Sequence, residues 1–449
     1  MKWLGELNNN DPETYSYIRK ELARQRDGLE MIPSENFTSM AVLEASGSVL
    51  TNKYSEGYAG RRYYGGNEYI DDIERLAIGR AKTLLKVPHV NVQPYSGSPA
   101  NLAVSLAICK VGDTIMGMNL TDGGHLTHGW KTSATGQLFN SVPYHVKADG
   151  YIDFVEVAAL AEERRPRMIW VGATAYTREF PFEEFAKIAD RVGAYLVADI
   201  SHIAGLVAGG VHKSPVDYAH VVTTTTHKTL RGPRGAMIMV TEKGLTKDPE
   251  LADKVDKAVF PGMQGGPHDH TTAGIAVALM EASKPEFKEY TRQIVSNSRT
   301  LAESLVANGI KIVTGGTDNH MILIDLTPFG NGLGLFAQEA LGSAGITVNK
   351  NTIPGEPSSP FYPSGVRLGT PALTTRGMKE GEMRRIGKMI SDAIMEIKGM
   401  RMPEEKEERL ACIKEFKARI KDNARINEIR NEVLALCKSF PLYQGFEMQ

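Results

Sequence analysis

Between about residue 80 and residue 285, short apolar segments alternate with longer amphipathic ones. The apolar segments are rich in β-branched residues and predict strands at 113–120, 167–174, 194–200, 220–227 and 236–242. Helical patterns separate several of them, such as FEEFAKIADRVG, whose closing Gly193 is a typical helix stop. Strands that are apolar on both faces belong to sheets covered by helices on both sides. The sequence therefore predicts an α/β fold around a mostly parallel sheet.

The chain changes character after the KPEF segment at 284–287. A long polar helix, two predicted strands and a Pro- and Gly-rich loop indicate a second, smaller α+β domain. Residues 403–438 are highly charged with a thin apolar stripe, which predicts helices on the domain surface. A predicted helix at 11–30 could form an arm on another surface. The predicted organisation is an N-terminal helical arm, a large domain and a small C-terminal domain with a charged helical tail, at 1–30, 31–285 and 286–449.

Bulk composition restricts the classes of partner. The net charge is −1 and there is no basic run, so neither nucleic acid nor an anionic membrane surface is expected. No apolar run approaches the roughly 18 residues of a membrane span. The three cysteines form no C-x-x-C motif, and the first residues lack the apolar stretch of a signal peptide. We expect a cytoplasmic protein.

Two predicted strands end in chemically useful side chains. The segment VVTTTTHKTLRGPRG places His227 and Lys228 at a strand end, and YLVADISH places Asp199 and His202 at another. A solvated lysine and a carboxylate that caps the next helix are the plain alternatives. Ligands of open α/β sheets gather at the carboxyl ends of strands. There, a lysine and an acid together fit a pyridine-based aldehyde cofactor, since the lysine anchors the aldehyde and the acid keeps the ring nitrogen protonated.

A phosphate site would complete such a cofactor pocket. The segment QPYSGSPAN contains a Ser-Gly-Ser turn, Ser96 to Ser98, followed by Pro99 at a predicted helix start. Backbone N–H groups at a helix N-terminus bind anions, although Ser and Gly there are also ordinary helix caps. The glycine-rich segment FPGMQGGPHD at 260–269 could bring further N–H groups.

Three other features admit two interpretations each. The tyrosine-rich segment at 52–71 indicates an interface, or an acid at Glu56 suited to moving a proton on a substrate hydroxyl. Arg367, on a predicted strand, could hold a substrate carboxylate or form a surface ion pair. His125 could stack on a planar ring. Because neither His125 with His128 nor the pair in PHDH has a third ligand at a sensible spacing, no metal is expected.

Taken together, these segments resemble the serine hydroxymethyltransferase family. The matching stretches include SENFTS, LTNKYSEGYAGRRYYGGNEYID, NVQPYSGSPAN, GMNLTDGGHLTHG, VVTTTTHKTLRGPRG, FPGMQGGP, GGTDNH, TVNKN and SGVRLGTPA, in family order over roughly residues 28 to 375. The resemblance implies the pyridoxal-phosphate transferase fold of type I, with a seven-stranded mostly parallel sheet. It also implies reversible interconversion of serine and glycine in a homodimer with shared active sites.

The resemblance also implies roles for individual positions. Those implied for catalysis are Glu56, Tyr64, Thr225, His227 and Lys228, the last as the Schiff-base lysine. Those implied to bind pyridoxal phosphate are Tyr54, Ser96, Gly97, Ser98, His125, Thr174, Asp199, His202, Lys228 and Gly262. The substrate carboxylate would bind Ser34 and Arg367. The positions that match the reduced-pterin pocket are Leu120, Gly124, His125, Leu126, Asn351, Ser359, Pro360 and Phe361. Of all these, Tyr54, Glu56, Tyr64 and Gly262 would come from the partner chain.

Some segments depart from the family pattern. Pro33, Pro99, Arg231 and Met263 replace the usual residues without removing a catalytic group. The segment HGWKTSATGQ at 128–137, beside the implied pterin pocket, also differs. The carrier could be tetrahydrofolate or tetrahydromethanopterin, a modified folate that this difference favours.

Rival functions remain at this stage. A threonine-aldolase-like enzyme would need no pterin, and a catalytically silent protein would keep the fold for RNA or partner binding. The segments that match the pterin pocket disfavour the first rival. The intact set of Lys228, Asp199 and Arg367 disfavours the second. Cleavage of other β-hydroxy amino acids without a pterin is expected as a side activity.

Overall fold

A computed structural model describes residues 4–443 of the chain. The helices are α1 (Gly5–Asn10), α2 (Pro12–Asp27), α3 (Met40–Ser46), α4 (Glu68–Leu85), α5 (Gly97–Ile108), α6 (Ala134–Leu138), α7 (Phe154–Arg164), α8 (Phe182–Val192), α9 (Ala204–Ala208), α10 (Glu242–Lys247), α11 (Leu251–Val259), α12 (Asp269–Ala282), α13 (Pro285–Ala307), α14 (Gly334–Ser343), α15 (Pro371–Thr375), α16 (Glu380–Met395), α17 (Lys406–Arg419) and α18 (Ala424–Ser439). The strands are β1 (Leu29–Glu30), β2 (Gly57–Tyr58), β3 (Arg61–Arg62), β4 (His89–Asn91), β5 (Thr114–Met118), β6 (Asn140–Tyr144), β7 (Met168–Val171), β8 (Tyr195–Asp199), β9 (Val221–Thr225), β10 (Ala236–Val240), β11 (Lys311–Ile312), β12 (Met321–Asp325), β13 (Ile346–Thr347), β14 (Asn349–Asn351) and β15 (Gly365–Gly369).

Seven strands form the main sheet in the order β4-β10-β9-β8-β7-β5-β6. The strands from β6 to β9 pair in parallel, whereas β10 runs antiparallel to both β9 and β4. Successive side chains point to opposite faces, so Ile169 and Val171 of β7 join one core while Met168 and Trp170 join the other. Both faces are therefore buried. The prediction of an α/β fold with a seven-stranded, mostly parallel sheet is confirmed.

The connections of this sheet place several side chains at one edge. Helix α8 ends at Gly193, which has a positive φ of 73°, and β8 begins two residues later. Strands β7, β8 and β9 are adjacent and parallel, so the residues that follow their carboxyl ends lie side by side. The peptide after β9 and the start of α5 meet these residues at the same edge. This edge holds the candidate site.

A second, four-stranded antiparallel sheet has the order β11-β12-β15-β14. Its core includes residues of α14 and α16, and it is separate from the two cores of the main sheet. Strand β1 pairs in parallel with β13, which brings the segment after α2 to this part of the chain. The division at residues 30 and 285 stays a prediction. Its first and last segments include residues 1–3 and 444–449, which lie outside the described residues.

The charged C-terminal segment forms helices that have exposed and buried faces. Leu410 of α17 is 56% exposed, as expected for a surface helix. In α18, however, Ile426, Ile429 and Val433 are fully buried. Their spacing of three and four residues puts them on one face, which packs against α2, α14 and α16. Charged residues of the same helix, such as Glu428 and Arg430, are exposed, so α18 lies at the surface with its apolar face buried. No helix among residues 4–443 is both long and apolar enough to cross a membrane.

Candidate active site

A cavity of about 320 Å³ lies at the carboxyl edge of β7, β8 and β9. Its lining consists of Ser34, Gly97, Asn101, Leu120, Gly124, His125, Leu126, His128, Ala173, Thr174, Asp199, Ser201, His202, Thr225, Lys228, Asn351 and Arg367. A larger cavity of about 990 Å³ lies between α4, α12 and α13. The described residues that line it include cations but no acid or histidine. The smaller cavity is therefore the one equipped for proton transfer.

Lys228 points into this cavity from the turn after β9. Its Nζ donates a hydrogen bond of 2.8 Å to Oγ1 of Thr225, the last residue of that strand. Burial lowers the pKa of Lys228 to about 8, against the opposing effect of Asp199, and Arg367 lowers it further. A lysine in these surroundings has an appreciable neutral fraction at physiological pH. It can therefore act as a nucleophilic amine.

Asp199 is the buried acid of the site. Its Oδ2 accepts hydrogen bonds from His128 Nε2 at 3.0 Å and from Asn101 Nδ2 at 2.8 Å. Its Oδ1 accepts from the Ser201 backbone N–H at 3.0 Å, so the residue also makes the local capping contact. Burial alone would raise the pKa of Asp199, but the hydrogen bond and charge of His128 hold that pKa well below its usual range. The carboxylate stays ionised.

The histidines near Asp199 correct one expectation. The sequence offered no third ligand for His125 and His128, but ligand atoms of both lie within 4.8 Å of one another and of Asp199. These atoms already have protein partners. His128 Nε2 donates to Asp199, and His125 Nδ1 accepts the Thr127 backbone N–H at 3.2 Å. The cluster is thus a hydrogen-bonded network that orients Asp199, and it supports no metal assignment.

Two further histidines line the cavity in their neutral forms. Burial lowers the pKa of His125 to about 4, with a further effect of His128. Burial also lowers the pKa of His202 well below its ordinary value, and the charge of Lys228 adds to this. With these two rings neutral, and leaving aside His128, which is hydrogen-bonded to Asp199, the charges among the described lining residues are two cations, Lys228 and Arg367, and one anion, Asp199. The cavity therefore favours an anionic ligand.

Arg367 lies in β15 and is 9% exposed. Its Nε donates to Asn349 Oδ1 at 3.1 Å and its Nη1 donates to the Thr174 carbonyl. Burial lowers the pKa of Arg367 to about 10. Among residues 4–443, no carboxylate forms an ion pair with Arg367, which excludes the surface ion pair that the sequence allowed. A buried guanidinium without a counter-ion is suited to a ligand carboxylate, and Ser34 lines the same cavity.

The Ser-Gly-Ser turn forms the N-terminus of α5. Ser96 is the N-cap residue and its side chain makes no capping hydrogen bond. Gly97 lines the cavity, and a Cβ there would come within 2.7 Å of Thr225 Cγ2. Only glycine lets the turn approach β9 this closely. The turn leaves backbone N–H groups and the Ser96 hydroxyl for a phosphate, so the residues present fit pyridoxal phosphate.

Other predicted site residues lie outside the cavity lining. Tyr54 donates to Glu56 Oε1 at 3.3 Å, and its ring meets that of Tyr64 with centroids 5.1 Å apart. The side chains of Tyr54 and Glu56 lie near Gly265, and Tyr54 and Tyr64 are 54% and 48% exposed. We call Tyr54, Glu56 and Tyr64 the tyrosine–glutamate patch.

The remaining outlying residues lie in several places. Gly262 belongs to the loop after α11, and the His227 side chain has a buried Nδ1 without a partner among the described residues. Burial lowers the pKa of His227 to about 3, and the charge of Lys228 contributes. Ser98 of the Ser-Gly-Ser turn is exposed, and Ser359, Pro360 and Phe361 are also exposed. One chain alone therefore leaves the cavity without several of its predicted groups.

No sequence pattern predicts a role for Asn101, Ser201 or Ala173, and the spacing of His128 suggests only a metal ligand. Asn101 donates to Asp199 and to Thr127, and accepts from Thr223 Oγ1 at 2.7 Å. The signal for it is a buried amide in the otherwise apolar helix GSPANLAVSLAI. His128 lacks such a signal, because it reaches Asp199 across 71 positions of sequence.

Lys228, a buried lysine of lowered pKa, and Asp199, a buried ionised acid, meet at the carboxyl edge of the parallel strands. This combination is typical of a pyridoxal-phosphate enzyme. The buried Arg367, which has no carboxylate partner among the described residues, fits an amino acid as the class of substrate. The family model described as serine hydroxymethyltransferase matches residues 7–390. A serine hydroxymethyltransferase of Acidothermus cellulolyticus is 54% identical over 440 residues, which cover 98% of this chain and 97% of that relative. One of Sorangium cellulosum is 53% identical over 442 residues, with the same coverage.

The chain belongs to the serine hydroxymethyltransferase family. Its reaction is therefore the interconversion of serine and glycine, with pyridoxal phosphate as cofactor and a folate as one-carbon carrier. The resemblance found in the sequence is confirmed.

Proposed function

We propose that the cavity around Lys228 is where serine and glycine are interconverted, and that Arg367 selects the amino acid by its carboxylate. The observation that carries the proposal is the buried Arg367 guanidinium, which has no carboxylate partner among the described residues. The Arg367 pKa of about 10 leaves the guanidinium charged at neutral pH. A substrate carboxylate would supply the missing counter-charge. Ser34, on the same wall, would donate a further hydrogen bond to it.

The cofactor would be held by groups from three elements. Lys228 would anchor its aldehyde, Asp199 would face its ring nitrogen, and the turn from Ser96 to Ser98 would bind its phosphate. His125, neutral and in the wall, would stack on the ring, while Thr174 and His202 would lie at its edge. When bound, pyridoxal phosphate supplies an electron sink for the pair left on Cα after the Cα–Cβ bond breaks. Asp199 stays ionised because of its hydrogen-bond network, which supports the proposed contact with a protonated ring.

Proton transfer on the substrate hydroxyl is assigned to Glu56, with Tyr64 beside it. Both belong to the tyrosine–glutamate patch, which does not line the cavity of its own chain. The exposure of Tyr54 and Tyr64 supports a second copy of the chain docking at this patch. In such a homodimer, the patch and Gly262 of one chain would complete the cavity of the other. His227 and Thr225 would act from beside Lys228, and Thr225 accepts the lysine hydrogen bond.

The folate carrier would enter past Leu120, Leu126 and Asn351, which line the cavity. Gly124 lets the chain turn sharply there, because a Cβ would meet the Met118 carbonyl at 2.0 Å. The exposed segment from Ser359 to Phe361 would cover the pterin from the other side. Whether tetrahydrofolate or a modified folate is preferred would depend on this wall and on the 128–137 segment.

One experiment tests these assignments together. Apo-protein is titrated with pyridoxal phosphate, and the absorption band of the bound cofactor is then followed as glycine and each reduced pterin are added. We expect glycine to produce a new absorption band, and we expect this band to grow when the preferred pterin is also added. Arg367→Met should take up the cofactor but respond to glycine only at concentrations about 100-fold higher. An absorption band that neither pterin changes would favour the threonine-aldolase-like alternative. An apo-protein that does not bind pyridoxal phosphate would refute the role of Lys228.

A further inference from the structure

The segment after β1 holds the turn that carries Lys228. Asn36 Nδ2 donates a hydrogen bond of 3.0 Å to the Lys228 carbonyl, and Thr38 Oγ1 donates one of 2.9 Å to the Arg231 carbonyl. The Arg231 backbone N–H donates to the Lys228 carbonyl at 3.1 Å, which closes a turn. We call residues 228–231 the lysine turn. Because Arg231 has a positive φ of 62°, which is costly for a residue with a side chain, the turn depends on the two side chains that hold its ends.

A ring of hydrogen bonds joins Asn36 to the helices α13 and α15. Asn36 Nδ2 donates to the hydroxyl of Tyr290 in α13 at 2.8 Å, and Oγ1 of Thr375 in α15 donates to Asn36 Oδ1 at 2.7 Å. The two hydroxyl oxygens are 3.0 Å apart. Since Thr375 gives its only hydroxyl proton to Asn36, the proton between the hydroxyls is that of Tyr290. Each donor in the ring therefore has its own acceptor.

Two backbone groups fix the orientation of the Asn36 amide. A carbonyl can only accept, so the amide group that faces the Lys228 carbonyl must be the NH2. A backbone N–H can only donate, so the atom that contacts the Phe37 N–H at 2.9 Å must be the amide oxygen. An amide turned by half a revolution would place like groups against each other at both contacts. The direction of every hydrogen bond of Asn36 is therefore determined.

Asn36 lies between the places proposed for the cofactor anchor and for the substrate carboxylate. On one side it holds the lysine turn. On the other side it contacts α15, which begins two residues after β15, the strand of Arg367. Ser34, in the cavity wall, precedes Asn36 by two positions. The hydrogen-bonded ring therefore ties the segment of the amine to the helix next to the carboxylate site.

We propose that Asn36 is a positioning residue that fixes the lysine turn relative to the strand of Arg367, and so sets the distance between the cofactor anchor and the substrate carboxylate. The inference rests on the proposed function, because it takes the roles of Lys228 and Arg367 from it. Asn36 is not among the described residues that line the cavity, so it acts through these two. A displacement of about 1 Å at a reacting group can cost about 100-fold in rate.

Two variants that each remove a hydrogen-bonding amide separate the positioning role from a merely structural one. Asn36→Ala removes the donor to the Lys228 carbonyl. Asn297→Ala is the matched control, because Asn297 Nδ2 donates to Thr374 Oγ1 and to the Met378 carbonyl, each at 2.9 Å, and so also joins α13 to the region of α15. Both losses should lower the urea midpoint of the apo-protein, but only the first reaches the lysine turn.

Hydrogen–deuterium exchange of the apo-protein measures the lysine turn without the cofactor. Exchange of residues 226–235 should be about tenfold faster in Asn36→Ala, as for the loss of one hydrogen bond, and within about threefold of the wild type in Asn297→Ala. The rate of pyridoxal-phosphate uptake should fall about tenfold in Asn36→Ala alone. Thr375→Val keeps the contact between Asn36 and Lys228, so it should take up the cofactor at the wild-type rate. It should need about tenfold more glycine for half of the absorption change.

Three results would contradict these assignments in different ways. Unchanged exchange of residues 226–235 in Asn36→Ala, or equal changes in Asn36→Ala and Asn297→Ala, would overturn the inference, because a structural role alone affects both variants alike. A wild-type response of Thr375→Val to glycine would overturn the link between Asn36 and the carboxylate site. A wild-type protein that takes up no cofactor would instead overturn the proposed function, and the inference with it.

Discussion

Replacing Arg367 by methionine should abolish efficient serine turnover while leaving the stability of the apo-protein nearly unchanged. The two effects separate because the guanidinium is buried without a counter-ion. A pKa lowered from 12.5 to about 10 corresponds to about 3 kcal/mol of burial cost at neutral pH, at about 1.4 kcal/mol per pKa unit. The hydrogen bonds from Arg367 to Asn349 and Thr174 offset this by about 1.5 kcal/mol each. Removing the side chain should therefore change the unfolding free energy by no more than about 1 kcal/mol.

The functional loss should be much larger. A charge-assisted contact between a guanidinium and a buried carboxylate is worth about 2–5 kcal/mol when one partner is truncated. We expect kcat/KM for serine to fall about 30- to 4,000-fold in Arg367→Met, since about 1.4 kcal/mol is a factor of ten. Steady-state kinetics with the reconstituted enzyme measure this loss, and urea unfolding of the apo-protein measures stability.

Arg62 provides the matched control for stability. It is also buried, but its guanidinium pairs with Asp71 at 2.8 Å and Glu74 at 2.9 Å. Arg62→Met removes the cation nearest to the buried Glu74 carboxylate and to the half-buried Asp71 carboxylate, so it should cost about 3–5 kcal/mol. An equally large stability loss in Arg367→Met would show that Arg367 is a structural residue. Serine kinetics within threefold of the wild type would refute its role as the carboxylate site.

Two further predictions concern the cofactor. Because the folded-state pKa of Lys228 is lowered to about 8, the rate of cofactor uptake by apo-protein, measured by stopped-flow absorbance, should rise with pH through about 8 and level off above it. In Arg367→Met the pH midpoint of cofactor uptake should move upward, since the arginine charge lowers the pKa of Lys228. A midpoint near 10.5 in the wild type would contradict the burial of the Lys228 amine. Gly97→Ala should weaken cofactor binding at least about tenfold, because its Cβ would meet Thr225 Cγ2 at 2.7 Å. Gly79→Ala is the control, because no atom lies within 4 Å of a Cβ added at Gly79. This variant should bind the cofactor normally and gain about 0.5–1 kcal/mol in unfolding free energy. Equal cofactor binding by both variants would refute the close approach of the turn to β9.

The sequence predicts those features of the fold that depend on local residue patterns. The apolar strands, the helix stop at Gly193 and the parallel order follow from residue periodicity and turn chemistry, and all three appear in the structure. Lys228 and Asp199 could be paired because strand ends in an open sheet meet at one edge.

Contacts between distant segments could not be predicted in this way. Asn101 reaches Asp199 across 98 positions, and His202 reaches His320 across 118. No sequence motif predicts either contact, because each depends on how a helix or the second sheet packs against the main sheet. Such residues form the layer behind the cavity wall. Sequence patterns identified many of the side chains in the wall, but the geometry of the fold was needed to identify those that hold them in place.

Whether the active site is shared between chains can be decided with two defective variants. Lys228→Ala lacks the cofactor lysine, and Glu56→Gln lacks the proposed proton-handling acid of the tyrosine–glutamate patch. If Glu56 acts across the interface, a heterodimer of these chains has one intact site and one that lacks both groups. We expect the heterodimer, isolated with two affinity tags, to recover about half the wild-type rate of serine cleavage with the folate carrier, because a two-fold dimer has two equivalent sites.

The same heterodimer distinguishes the opposite arrangement. If Glu56 served the cavity of its own chain, each site would lack one group and the heterodimer would be no more active than either parent. A heterodimer of Glu56→Gln with the double variant has no intact site in either arrangement, so it sets the background rate. Recovery well above this background requires the lysine and the acid to come from different chains. Activity at background would refute the shared site and leave the exposed Tyr54 and Tyr64 without the role proposed for them.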